Sequence, residues 1–197
     1  PNYFEPIWLT FVFVFGACIG SFLNVVLYRL PNGMSVAIPP SHCPHCQTNI
    51  AWFDNLPCLS YLLLRGKCRH CKTPYSARYW LVEVFCGFIA IGIWFSVTSR
   101  IIPELIFEHT LLWFYWQAFV FALLTLSIID FEYLIIPDEI SLFLLFVGLA
   151  GLGLFPPEVA ADRIFGALAG VGFLLFIAAV GFLIYRREAM GMGDVKL

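Results

Sequence analysis

Residues 6–28 read PIWLTFVFVFGACIGSFLNVVLY, with no charged side chain from Pro6 to Tyr28. An α-helix needs about 20 mostly apolar residues to cross the hydrocarbon core of a bilayer. Inside that core each backbone polar group must be satisfied within the protein, which a helix does by itself. The stretch therefore reads as a spanning helix and the fold as an all-α polytopic membrane protein. It is too long and too aromatic for a cleaved leader, and no basic region precedes it. Gly16 and Gly20 make a small-xxx-small face that lets a second helix approach closely. Ser21 and Asn24 are polar in this run and need partners, either in helix packing or in a groove for a substrate segment.

Four further stretches have the same character: Tyr79 to Ser99, with Glu83 near its start; Thr110 to Ile129; Ile140 to Pro157, which is short and rich in glycine; and Ile164 to Tyr185. A sixth span is expected to begin after Gly193. The chain opens at Pro1 and closes just past that point, so a fragment of a longer protein is expected, truncated at its C-terminal side. Composition agrees with the membrane reading: 61% of residues are hydrophobic and 12% charged, against about 25% charged in soluble domains. The net charge of -2 carries little information on partners, and the expected surroundings are membrane lipid, with no nucleic acid. Trp8, Tyr28, Tyr79 and Trp80 stand where interfacial aromatic residues belong; Trp113 and Trp116 lie deeper and read as packing residues.

Orientation follows the bias of Lys and Arg toward the cytoplasm. Arg29, Arg65, Lys67, Arg69, Lys72 and Arg78 fall between the first two spans, and Arg186 and Arg187 follow the fifth; Arg100 and Arg163 occupy the opposite side. The long loop is then cytoplasmic and the N-terminus periplasmic. Crossing by crossing, the Asp130–Asp138 turn and the Gly191–Asp194 stretch reach the cytoplasmic face together. The expected organisation is a first helix at 1–28, a cytoplasmic loop module at 29–78 and a transmembrane domain at 79–197.

The loop module is too short for a robust core, and it carries Cys43-Pro44-His45-Cys46 and Cys68-Arg69-His70-Cys71, with 21 residues between the pairs. Two C-x2-C turns can present four sulfurs to one tetrahedral ion, and metal binding would supply folding energy that the module lacks. A reducing cytoplasm disfavours disulfides as the alternative. Cys43, Cys46, Cys68 and Cys71 are the expected ligands of a structural Zn2+ in a zinc-ribbon-like module. His42, His45 and His70 read as loop residues, Cys18 and Cys86 as small packing residues, and Cys58 is left over.

The acids divide by position. Asp130 falls at the inner end of an apolar helix, where its carboxylate would be partly desolvated; acids of membrane segments are functional candidates. Asp138 follows Pro137 and precedes an apolar run, as a helix N-cap does. Glu83, close to Arg78 in sequence, reads as a paired or snorkelling acid. Glu5, Glu104, Glu108, Glu158, Asp162 and His109 read as solvated outer residues, with Asp162 and Arg163 as a surface pair. In Gly191-Met192-Gly193-Asp194 two glycines let another backbone approach an acid closely. Two carboxylates brought to one face point to aspartyl chemistry, in which a pair shares one proton, one member activating water and the other polarising a carbonyl. A non-enzymatic membrane scaffold with a zinc-stabilised docking loop is the alternative. A proton or ion relay is a third reading, but it would favour acids nearer the midplane.

Taken in chain order, Gly20-Ser21-Phe22-Leu23-Asn24-Val25-Val26-Leu27-Tyr28-Arg29-Leu30-Pro31, the two Cys pairs, Asp130 with Pro137-Asp138, and Gly191-Met192-Gly193-Asp194 resemble the bacterial type IV prepilin peptidases of pilus and type II secretion systems. The resemblance implies a GxGD-type intramembrane aspartyl protease of the inner membrane with Asp130 and Asp194 as the catalytic pair, supported by Gly191 and Gly193. It implies removal of the basic leader of prepilins or pseudopilins after a Gly, at the cytoplasmic face. It also implies N-methylation of the new first residue, usually Phe, from S-adenosylmethionine, and it associates the Cys loop with methylation and zinc. The family usually continues to eight spans. No glycine-rich dinucleotide fingerprint marks residues that hold the methyl donor.

Overall fold

A computed structural model describes residues 4–98, 106–155 and 157–185. The described residues form six α-helices and no strand: α1 (Phe4–Arg29), α2 (Leu59–Leu63), α3 (Ala77–Thr98), α4 (Ile106–Tyr133), α5 (Asp138–Leu154) and α6 (Pro157–Tyr185). The segments Pro6–Arg29, Ala77–Thr98, Thr110–Tyr133 and Ala161–Val180 are long and apolar enough to cross a membrane, so the chain is a multi-pass membrane protein with a small module between its first two spans. The remaining expected span is α5. Its 17 residues stand at the short end of the roughly 17–25 that cross a bilayer.

Residues 1–117 and 118–197 form two compact units. In the first, α1 packs along α3 through the expected glycine face. A Cβ built on Gly16 would lie 2.5 Å from Ala90 Cβ and 2.6 Å from the Cys86 carbonyl oxygen, and one on Gly20 would lie 2.9 Å from Cys86 Cβ. Next to this seam, fully buried Val12, Ala90 and Trp113 form a core with Trp8, Phe15 and Trp94 packed against it. Trp113 Nε1 and Gln117 Nε2 both donate to the Ala90 carbonyl at 3.3 Å, giving two buried donors an acceptor. Trp113 is thus a packing residue, as its depth in the sequence implied. Phe11, Phe85, Phe88 and Phe95 stay exposed on α1 and α3, as lipid-facing residues do.

In the second unit, α4 ends in a left-handed residue: Leu134 has φ 54°, and its N–H donates to the Asp130 carbonyl at 2.8 Å. This is an αL helix stop of the kind glycine usually provides. Asp138 does not cap α5. The N-cap position is Pro137 in extended conformation, whose carbonyl accepts the Ser141 N–H at 3.2 Å and the Ser141 hydroxyl at 3.3 Å. Asp138 is one step inside, in the first turn beside Glu139, where a carboxylate opposes the helix dipole. Proline's fixed φ suits the start of a helix even without a capping side chain, which is why reading the acid as the cap misplaced the boundary by one residue. In the same unit the Arg163 guanidinium stacks on Phe155, 3.7 Å from its ring centre.

Candidate metal centre, cavity and acidic site

The two Cys pairs open two copies of one turn, Cys-x-His-Cys-x-Thr. In the first, Cys43 N–H donates to Thr48 O (3.0 Å) and Gln47 N–H to Cys43 O (2.9 Å); in the second, Cys68 N–H donates to Thr73 O (2.9 Å) and Lys72 N–H to Cys68 O (3.1 Å). Gln47 and Lys72 turn the chain with φ of 56° and 61°. The turns face each other, and the four sulfurs lie within 4.8 Å of one another. Cys43 Sγ is 3.8 Å from Cys71 Sγ, and Cys46 Sγ is 4.0 Å from Cys68 Sγ. A tetrahedral ion with metal–sulfur bonds of about 2.3 Å requires sulfurs about 3.8 Å apart, so the set fits a four-thiolate metal centre. The Cys71 N–H, followed by the Tyr75 hydroxyl, holds the Cys68 thiol down at about 6. Burial first, then its hydrogen bond to Cys68, pushes the Tyr75 phenol up, keeping it a donor to the sulfurs, as outer partners of metal ligands are.

The histidines stay outside this set. His45 and His70 are exposed, and His42 Nδ1 lies 3.1 Å from the Pro40 carbonyl. Below the turns, the Arg69 guanidinium forks onto Asp54, with Nε 2.7 Å from Oδ2, and lies 5.5 Å from the Phe53 ring centre. The Arg69 hydrogen bond holds the Asp54 carboxyl below its usual range.

Glu83 corrects a reading by sequence proximity. Instead of meeting Arg78, its carboxylate accepts the Cys58 N–H at 2.7 Å and a hydrogen bond from Ser21. This ties the loop, α1 and α3 together. Asn24 completes the tie by donating from Nδ2 to the Tyr79 carbonyl at 3.1 Å. Ser21 and Asn24 thus take part in packing, and both also line a cavity. Burial, and next the Glu83 charge, push the Cys58 thiol up to about 11.

Two cavities flank these ties. One, of about 500 Å³, lies between α1, the Cys turns and α3, and is lined by Tyr61, Trp80 and Glu83 among others. The second, of about 450 Å³, is lined by Phe22, Val25, Val36 and a run of prolines. Both share Ser21 and Arg29 in their walls. Sequence periodicity could not have found the larger one, because its walls come from stretches some 50 residues apart.

Asp130 lies in the last turn of α4, which runs on to Tyr133; it is exposed and not partly desolvated as expected, with buried Ile129 before it. Gly191, Gly193, Asp194 and the sixth span fall outside the described residues.

Comparison with known proteins separates the same two halves. Residues 14–97 match the Bacterial Peptidase A24 N-terminal domain, and residues 117–197 match the Type IV leader peptidase family. A prepilin leader peptidase/N-methyltransferase of Myxococcus xanthus is 38% identical over 201 residues, covering 100% of this chain and 56% of that protein. One of Klebsiella pneumoniae is 35% identical over 200 residues, covering 97% and 82%, and one of Aeromonas hydrophila is 34% identical over 221 residues, covering 96% and 71%. The chain thus spans between roughly half and four fifths of these relatives' lengths. No solved structure matches. With both halves matched and relatives similar along nearly its whole length, the chain belongs to the type IV leader peptidase family.

Proposed function

We propose that the protein of which this chain is part cleaves the leader from prepilins or pseudopilins at the cytoplasmic face of the bacterial inner membrane, and then N-methylates the exposed residue from S-adenosylmethionine. The observation that carries this is the continuous similarity to relatives named prepilin leader peptidase/N-methyltransferase, which includes the stretch with Asp130 and Gly191–Asp194. Asp130 and Asp194 are the dyad. One carboxylate draws a proton from water, and the protonated partner polarises the scissile carbonyl. Gly191 and Gly193 carry no side chains, so a substrate strand can lie against the backbone next to Asp194. The distribution of Lys and Arg supports a cytoplasmic site.

Zn2+ is the metal best suited to four thiolates. Held by Cys43, Cys46, Cys68 and Cys71, it has no open position for substrate, so its work is structural. The four sulfurs and the Tyr75 hydroxyl fix the loop module, and the module forms one wall of the larger cavity. The test is cleavage of a purified prepilin by the full-length protein in lipid nanodiscs, wild type against Asp130→Asn and Asp194→Asn. Both variants are expected to lose at least 1,000-fold in rate, in line with loss of a group acting in the chemical step. Wild-type cleavage by either variant would remove the dyad.

A further inference from the structure

The Type IV leader peptidase match and both proposed catalytic acids fall in residues 117–197, while residues 14–97 match the Bacterial Peptidase A24 N-terminal domain, the half that holds the Cys loop. Residues 1–117 form their own compact unit, and that unit holds the 500 Å³ cavity. A volume of 300–1,000 Å³ suits a cofactor-sized ligand. The lining is chemically mixed in a particular way. Tyr61 and Trp80 stack at 6.0 Å with their planes 27° apart, and Tyr61 rests on Gly66, where a Cβ would come within 2.8 Å of its ring. Glu83 gives a carboxylate fixed by the Cys58 N–H. Arg29 is 7% exposed and donates from Nη1 to the Ser35 and Val36 carbonyls. Among the described residues no carboxylate forms an ion pair with it, although a buried guanidinium without a counter-charge is costly.

We propose that this cavity is the S-adenosylmethionine site. The inference rests on the methyl-transfer reading above. The cofactor carries an aromatic base, a sulfonium cation, a ribose diol and an amino-acid carboxylate. The Tyr61–Trp80 platform matches the base and the cation, since ring faces attract cations. Glu83 matches the hydroxyl or ammonium donors, and Arg29 matches the carboxylate. Arg29 and Ser21 also line the apolar neighbouring cavity, so an apolar pilin terminus seated there would meet the donor across a shared wall.

The experiment uses full-length protein in nanodiscs and S-adenosyl-L-[methyl-³H]methionine. Equilibrium binding is measured for wild type and Tyr61→Ala, together with zinc content and prepilin cleavage. Tyr61→Ala is expected to weaken binding at least tenfold while zinc content and cleavage stay at wild-type values. Unchanged binding by Tyr61→Ala overturns the site. No binding by wild type overturns the methyl-transfer reading and the site with it, whatever the cleavage result. Ultraviolet cross-linking of the same labelled donor to wild type does not depend on how a variant folds. Label in the peptides around Tyr61 or Trp80 supports the site, and label confined to residues 118–197 overturns it.

A second observation concerns the exposed apolar residues of the same loop. Glu83 is six residues inside α3, about 9 Å along its axis, yet it holds the Cys58 N–H. The loop therefore dips to the depth of a membrane helix's second turn. Here Trp52 is 78% exposed and Leu63 70%, with Leu59 and Leu62 also exposed. The one charge between Trp52 and Leu64, Asp54, is paired to Arg69. We infer that Trp52–Leu63 rests in the lipid headgroup–acyl boundary, as apolar faces at an interface do. A nitroxide amino acid placed at Leu63 in nanodiscs is expected to be more accessible to oxygen than to a nickel chelate, as a label at Phe88 is. Nickel accessibility equal to that of a label at exposed His70 would overturn the inference.

Discussion

Substituting alanine for Gly16 should force α1 and α3 apart. The new Cβ would sit 2.5 Å from Ala90 Cβ, 2.6 Å from the Cys86 carbonyl oxygen and 3.1 Å from Gly87 Cα. Two of these neighbours are backbone and the third is a methyl with no rotamer to change, so none can swing away. Carbon atoms rest about 3.5–4.0 Å apart, so relief requires about 1 Å of separation along a seam that includes Gly20. Forced repacking of this kind costs about 1–3 kcal/mol. Alanine also gains about 1 kcal/mol over glycine in a helix interior, which hides part of the effect. Gly92→Ala is the control: it lies in α3 with nothing within 4 Å of its built Cβ and gains the same propensity without the clash. The difference between the two variants isolates the clash. Equilibrium unfolding in mixed detergent micelles, followed by tryptophan fluorescence, should place Gly16→Ala about 1–3 kcal/mol below Gly92→Ala, or about 5–150-fold in the unfolding constant. Equal stability of the two would refute close helix contact at Gly16.

Three further outcomes are expected. Chelation of the metal from full-length protein should unfold the Cys turns, seen as loss of protection from proteolysis between residues 40 and 76, while the helical circular dichroism of the spans persists. Metal retention should fail on acidification. The Cys68 thiol is already held at about 6 without a metal, and a bound cation holds thiolates against protons more strongly still, so zinc release monitored by a chelating dye should be absent at neutral pH and begin only below about pH 6. Asn24→Ala deletes the bond to the Tyr79 carbonyl and should cost about 0.5–1.5 kcal/mol in the same unfolding assay, with metal content unchanged.

What the residues disclosed in advance depended on whether the determining contact was local. The spans were legible because a bilayer demands uninterrupted apolar length, and Pro6 to Tyr28 supplies it without a charge. The thiolate set was legible because each C-x2-C turn closes on itself, through bonds such as Cys43 N–H to Thr48 O. Gly16 and Gly20 were legible as a contact face, though not which helix they would meet. Glu83 was misjudged because its partner, the Cys58 N–H, lies 25 positions away, and a backbone donor leaves no mark in the residue pattern. The cavity was invisible for the same reason. α5 is apolar beyond its acidic first turn, and its shortness follows from where Pro137 starts it and Phe155 breaks it in extended conformation.

The central claim is that two units carry two activities, with Asp130 belonging to cleavage alone. The most direct measurement gives Asp130→Asn two substrates in parallel: an intact prepilin, and a pilin already bearing its mature N-terminus, both with labelled S-adenosylmethionine. The account predicts no leader removal from the first and wild-type methylation of the second. Leader removal by Asp130→Asn, or loss of methylation of the mature pilin with the variant still folded and metal-loaded, would contradict it.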